Sequence, residues 1–223
     1  MKPALIIFGA SNIMSDLFDC ALANQIPVGA VVLDLPEQTG ERDLTLASRV
    51  AAMNAHGQKI RILTMDDFNP HENEIYLLGP TTPSRARLAN ILKQKFAMQF
   101  TQLIHPTAYV SPLAEIGEGV FVGANSVIGP GAKLGEHVFI NRGVTIGHDT
   151  QIGAFTRVQP GSNLGGLSRI GSGVTVGIGA TLIERLTVGD NAFIGAGAVV
   201  TADVEAEVLV VGIPAKIKKS LKP

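Results

Sequence analysis

From Ile104 to Val200 an aliphatic residue returns at every sixth position. All 17 of these positions are Ile, Val or Leu, so the spacing is a repeat and not a bias of composition. The units run without a gap from IHPTAY and VSPLAE through IGHDTQ and LGGLSR to VTADVE. Gly fills the second position in 11 units, and the fifth is small or β-branched in all but the one holding Leu186. A period of six fits neither a 3.6-residue helix nor a freely alternating strand. It fits a coil of three flat faces, one hexapeptide per face and about 18 residues per turn. The aliphatic side chain points to the axis, and the small fifth residue is expected where the chain bends. Glycine near a corner is expected to supply backbone angles that a Cβ resists. The predicted architecture is a parallel β-helix whose stacked coils satisfy each other's backbone groups. The end, AEVLVVGIPAKIKKSLKP, leaves the register. It is predicted to be a terminal strand and a short basic tail capping the open end.

Residues 1–100 follow a different pattern. Short apolar runs at 4–8, 28–33, 60–63 and 75–78 alternate with helical spacing at 14–24 and 84–99. Ser84, after Pro83, is the expected N-cap of the last helix. Strands alternating with helices imply a small parallel α/β sheet. Its first strand ends in Gly9-Ala10-Ser11-Asn12, and its second ends at Asp34, where such sheets often hold a ribose hydroxyl. The dinucleotide fingerprint would need glycines where Ser11 and Met14 stand. Gly9 therefore reads as a tight turn or as part of a mononucleotide cradle, not as an NAD site. The expected domains are 1–100, a Rossmann-like module, and 101–223, the β-helix with its cap.

Composition narrows the chemistry. Lys and Arg number 18 against 19 Asp and Glu, so no basic excess exists to bind nucleic acid. Aromatic residues are only 5% of the chain, with Trp absent, which suits a narrow aliphatic interior. One cysteine, Cys20, forms neither an internal disulfide nor a cysteine metal cluster. The opening apolar run is too short for a signal segment, and no stretch is long enough to cross a membrane. A cytoplasmic protein without membrane insertion is expected.

Five histidines are candidates for acid–base work. His56 and His71 read as solvated. His105, before Pro106, reads as structural. His137, at the fourth position of its unit, is expected to be exposed. His148 reads either as an exposed corner or as a base, and Asp149 orients it only if the chain turns there. Three histidines would be needed for a γ-carbonic-anhydrase-like zinc site. His105, His137 and His148 occupy different positions of their units, so no metal is expected. Arg157 reads as an ion-pair residue or a phosphate ligand. Asn125 and Asn141 read as corner residues or as amino-sugar ligands.

The Rossmann-like opening, LIHPTAYVSPLAEIGEGVFVGANSVI, INRGVTIGHDTQIGAF and the closing VVGIPAK together resemble the NeuD/PglD-type sugar acetyltransferases over the whole chain. The resemblance implies a left-handed β-helix, a homotrimer and acetyl transfer from acetyl-CoA to a nucleotide-linked amino sugar of a bacterial surface glycan. His148 matches the catalytic histidine, and Asp149 the carboxylate that follows it. The family's second histidine falls on Arg157. Half a coil separates Arg157 from His148, so the two could share a site only across subunits. Gly166 matches the glycine whose N–H meets the thioester carbonyl. Gly212, Pro214 and Lys216 lie in the segment near the coenzyme's nucleotide end. Gly9, Ala10, Ser11, Asn12 and Asp34 match sugar-nucleotide contacts. Two alternatives remain open: O-acetylation of a sialic-acid-like sugar, and a non-catalytic β-helical scaffold.

Overall fold

The computed structural model describes residues 2–37 and 40–222. They divide into two compact units: 1–81 with 85–103, and 82–84 with 104–223.

The first unit is a four-stranded parallel sheet in the order β3-β2-β1-β4: β1 (Ala4–Phe8), β2 (Val28–Leu33), β3 (Arg61–Thr64) and β4 (Glu74–Leu78). Three helices accompany it: α1 (Met14–Ala23), α2 (Leu46–Ala55) and α3 (Ala86–Phe96). Central β1 and β2 are buried on both faces, as a covered parallel sheet requires, whereas the edge strand β3 is largely exposed. Leu5, Ile7, Phe8, Leu17, Val31 and Leu92 form the core, with Phe8 edge-on to Phe68 at 5.0 Å. Two details differ from expectation. A 3₁₀ turn, Pro83–Arg85, precedes α3, so the helix begins at Ala86 and the Ser84 hydroxyl pairs with Thr82 instead of capping it. Helix α2 gave only a weak periodic signal. It buries Leu46, Val50 and Met53 on one stripe, and the Thr45 hydroxyl caps it by accepting from the Ser48 N–H.

The second unit is the hexapeptide prism. Two-residue strands recur every six residues from Tyr109–Val110 to Val199–Val200. Up to Thr181–Leu182, each pairs in parallel with the strand 18 residues on, as in Lys133↔Gln151, Phe139↔Arg157 and Thr145↔Asn163. Three sheets result, one per face. First-position aliphatics such as Ile128, Ile146 and Val158 are buried, and so are fifth-position residues such as Ala132, Val144 and Thr150. Each fully buried aliphatic contributes roughly 1.5–3 kcal/mol.

The bend lies one residue earlier than expected. Every fourth position from 119 to 197 has a positive φ, from Gly119 at 68° through Asp149 at 55° to Gly197 at 64°. The fifth residue is small because it shares the interior with the first. The second-position glycines have another cause too. A Cβ on Gly135 would lie 2.8 Å from the Ala154 amide nitrogen, and one on Gly147 would lie 2.7 Å from the Gly166 Cα. Glycine there lets successive coils touch. Buried fifth-position hydroxyls close the remaining polar accounts: Ser126, Thr150, Thr156, Ser162 and Ser168 each donate to the carbonyl 15 residues on.

The C-terminal segment extends one face. Val208–Gly212 adds in parallel beside Phe193–Ile194 and turns at Ile213-Pro214. Ala215–Ser220 then returns antiparallel as the edge. The expected basic tail is therefore itself a strand, and its lysines stand on a sheet edge, where charge discourages further pairing. Among the described residues no helix is long and apolar enough to cross a membrane.

Candidate functional site

In the first unit the chain leaves β1 for β2 and β3 on one side, then crosses to β4 on the other. The strand order therefore switches between β1 and β4, and their carboxyl ends, Gly9 and Gly79, meet there. The Gly79 N–H donates to the Phe8 carbonyl at 2.8 Å, and the Ser11 hydroxyl donates to the Gly79 carbonyl at 2.7 Å. Gly9 has a φ of 76°, and a Cβ on it would lie 2.7 Å from Pro80 and 3.2 Å from an Asp34 carboxylate oxygen. Close approach and backbone angle both demand glycine. The structure thus brings Gly9, Ser11 and Asp34 together at the switch point. Ala10 is half-buried, and exposed Asn12 donates to Asp43 at 3.2 Å.

In the second unit Gly147-His148-Asp149 forms one corner. The left-handed conformation of Asp149 turns the chain, so neighbouring side chains meet: His148 Nδ1 lies 2.8 Å from Asp149 Oδ2. A carboxylate oxygen accepts, so Nδ1 carries the hydrogen and the neutral ring presents its lone pair at Nε2. Both side chains remain more than half exposed, at 57% and 58%, and are within reach of a solute.

The coils on either side shape this corner. Below, the Asp149 carboxylate lies over Gly131, where a Cβ would collide with it. Above, His148 Nε2 lies 2.7 Å from the point a Cβ on Gly166 would occupy. Gly166 therefore sits directly against the free nitrogen of the ring. The His148 carbonyl accepts from the Leu167 N–H at 2.8 Å, which locks the two coils together. Gly131 and the role of the interior Thr150 were missed from sequence. Reading the repeat at an offset of 18 residues finds Gly131, the residue stacked on Asp149, whereas Thr150 acts at an offset of 15, on the Gly165 carbonyl.

The remaining candidates stand elsewhere. Arg157 lies on a different face, half-buried, its Nε donating to the Thr175 hydroxyl at 3.0 Å; burial holds its pKa below the usual arginine value. Asn141 is buried, not exposed as expected. Its Oδ1 accepts from the Arg142 N–H at 2.8 Å, and its Nδ2 donates to Gln159 at 3.4 Å. It precedes the strand Thr145–Ile146, and His148 follows it, so the two occupy opposite ends of one face. Asn125 is an exposed left-handed corner with a φ of 58°. His137 is 1% exposed, against expectation: its ring lies against Gly119 in one neighbouring coil and stacks on Phe155 at 5.0 Å in the other. His105 Nδ1 accepts from the Thr107 N–H at 3.2 Å in a local turn. Gly212, Pro214 and Lys216 are exposed on the terminal hairpin. The face that begins just after Asp149 carries an open groove of about 870 Å³, lined by Glu115, Lys133, Gln151, Arg169 and Thr187 above a floor of second-position glycines.

Comparison with known proteins places these features. The family described as bacterial transferase hexapeptide (six repeats) matches residues 113–148, 131–166 and 168–202. The acetyltransferase domain of PglB from Neisseria gonorrhoeae FA1090 is 28% identical, with 96% of this chain and 99% of that one covered and a TM-score of 0.80. The same domain is also known in complex with acetyl coenzyme A. A His-to-Asn variant of perosamine N-acetyltransferase from Caulobacter crescentus, in complex with CoA and GDP-perosamine, is 25% identical, with 97% of each chain covered and a TM-score of 0.77. WeeI from Acinetobacter baumannii AYE has the same fold, with a TM-score of 0.71 at 24% identity over 96% of this chain and 99% of that one. Curated protein sequences give no match. The chain thus shares with these acetyltransferases, over nearly the whole of each chain, an α/β unit followed by an uninterrupted hexapeptide β-helix, and it is similar in this to sugar acetyltransferases of the NeuD/PglD type.

Proposed function

We propose that the chain moves the acetyl group of acetyl-CoA to the amino group of a nucleotide-linked amino sugar, with His148 as the general base. The observation that carries this reading is the His148–Asp149 hydrogen bond of 2.8 Å, which leaves the Nε2 lone pair facing Gly166. Acetyl transfer needs three things: a base for the attacking amine, a donor for the developing oxyanion, and alignment of the two. His148 Nε2 takes the proton as the amine attacks the thioester carbonyl, and the tetrahedral intermediate collapses with cleavage of the C–S bond, the proton passing to the sulfur so that CoA leaves as the thiol. Asp149 fixes the tautomer and stabilises the ring once it is charged. The Gly166 N–H faces the oxygen on which charge develops. When bound, acetyl-CoA supplies the activated acyl group, and the exposed Gly212-to-Lys216 turn is assigned to its nucleotide end.

The acceptor's nucleotide is assigned to the first unit. There the turn after Gly9 and the start of α1 offer backbone N–H groups to phosphate, and Asp34 offers an acceptor to a ribose hydroxyl. The likeness to enzymes known with acetyl coenzyme A and with GDP-perosamine supports both assignments. The separation of Asn141 and Arg157 from His148 within one prism supports a homotrimer in which neighbouring subunits complete the site. Sedimentation is expected to give a mass near three chains. The reading is tested by incubating the protein with acetyl-CoA and a panel of nucleotide-linked amino sugars and following thiol release. Release dependent on one amino sugar, and absent with its N-acetylated form, is expected. Release only with hydroxyl acceptors, or none with any sugar, contradicts it.

A further inference from the structure

The buried hydroxyl of Thr150 lies immediately behind the corner. Its side chain is fully buried, and its Oγ1 donates to the Gly165 carbonyl at 3.1 Å. That carbonyl belongs to the same peptide group as the Gly166 N–H. In a trans peptide the C=O and N–H point in opposite directions. An anchor that draws the Gly165 oxygen toward the prism interior therefore turns the Gly166 N–H outward, at the residue that His148 Nε2 stands against. Among the described residues that N–H makes no hydrogen bond, so it is available to a ligand. Backbone contacts hold the two glycines on either side of this peptide: the Gly165 N–H donates to Leu182 at 2.9 Å, and the Gly166 carbonyl accepts from Arg185 at 2.9 Å. Between those two points, the Thr150 hydroxyl is the side chain that fixes the tilt of the peptide plane.

We propose that Thr150 is a positioning residue for acetyl transfer: its hydroxyl orients and polarises the Gly165–Gly166 peptide so that the Gly166 N–H meets the oxyanion. This rests on the oxyanion role of Gly166 given above. Two effects act together. Without the anchor the two-glycine segment has no Cβ to limit its rotation, and a peptide tilted away from the reacting oxygen loses alignment. A hydrogen bond accepted by an amide oxygen also strengthens the donor at the amide's other end. The same kind of hydroxyl recurs at other corners, so hydroxyl-to-carbonyl bonding by itself belongs to the fold. Thr150 differs in which peptide it holds.

That recurrence supplies the control. Thr156 donates to the Gly171 carbonyl at 2.7 Å from the next corner, away from His148, and also accepts from the Val174 N–H at 3.0 Å. Thr150→Val and Thr156→Val each keep the branched shape; the first loses one buried hydrogen bond and the second loses two. Tm is expected to fall in both, and further in Thr156→Val. Only Thr150→Val is expected to lower kcat, by about tenfold, the upper range for one neutral hydrogen bond. The KM for acetyl-CoA should stay within about twofold, and Thr150→Ser, which retains the hydroxyl, should recover most of the rate. With glycines labelled in nitrogen-15, the Gly166 amide signal should shift in Thr150→Val but not in Thr156→Val, and should respond less to added acetyl-CoA. A kcat within about twofold of the parent's, or an equal loss in Thr156→Val, overturns the proposal. So does a Gly166 amide that responds to acetyl-CoA equally with and without the hydroxyl, which leaves the role of Gly166 standing. A Gly166 amide in the parent protein that ignores acetyl-CoA overturns the oxyanion role itself, and the proposal with it.

Discussion

The two units assemble their candidate sites by different rules. In the prism, neighbours are set by one number. A residue lies beside those 18 positions before and after it, so His148 meets Gly166 and Asp149 meets Gly131. In the α/β unit no fixed offset exists. Gly9, Asp34, Asp43 and Gly79 come together because three separate strand ends and a loop converge at the point where the strand order reverses. The prism fixes geometry through backbone stacking, and a residue there acts through what its coil neighbours lack. The α/β unit fixes geometry through loops, and its residues act through what their side chains offer.

The largest effect that would sharpen this contrast is expected from Gly166→Ala. The added Cβ would chiefly strike the end of the His148 ring, a movable side chain, at 2.7 Å, while the nearest backbone atom, the His148 carbonyl oxygen, stands at 3.1 Å and need give only slightly. The fold should survive with Tm little changed, while the ring is pushed off its position and kcat falls about a hundredfold, the scale of losing a general base. The comparison is Gly135→Ala, whose Cβ meets the amide nitrogen of Ala154. That clash is with backbone, so the variant should lose about 1–3 kcal/mol of stability and keep its kcat. Equal behaviour of the two variants would break the claim that the corner at His148 is specialised.

Next in size is Asp149→Asn. An amide at this position can donate to Nδ1, which would move the ring hydrogen to Nε2 and remove the base's lone pair. A fall in kcat of tenfold or more is expected, with acetyl-CoA affinity unchanged, since the carboxylate no longer fixes the ring. A variant as fast as the parent would mean that the 2.8 Å pair is only a surface contact.

The smallest effect belongs to the α/β unit. Asp34→Ala removes one acceptor at the switch point, so the acceptor sugar's KM should rise about three- to tenfold, the range for one hydrogen bond. The KM for acetyl-CoA should not move. An unchanged acceptor KM would mean that this unit does not hold the nucleotide.

These differences also explain what could be read beforehand. The β-helix was legible because period six is imposed at every coil, and first-position aliphatics have no alternative to the interior. His148 and Asp149 stood out as a pair, but whether they touch depended on a left-handed angle at Asp149, which aspartate tolerates better than most residues but does not by itself dictate. The roles of the second and fifth positions were misassigned because sequence shows that a residue is small without showing what it would otherwise strike. Asn141 and His137 were misplaced for a related reason: polarity suggested solvent, but Asn141 turns back onto its own backbone and His137 stacks on Phe155. In the α/β unit the first two strands ended where expected, since apolar runs stop at Gly9 and Asp34. Helix α2 was missed because its buried stripe is only Leu46, Val50 and Met53 among small residues.

The central claim is that His148 is the base, and its removal tests this most directly. His148→Ala should lower kcat at neutral pH by at least about a hundredfold and abolish the acidic limb of the rate profile, with acetyl-CoA affinity nearly intact. A fall of less than about tenfold, with the acidic limb retained, is the size of a lost hydrogen bond and would contradict the claim.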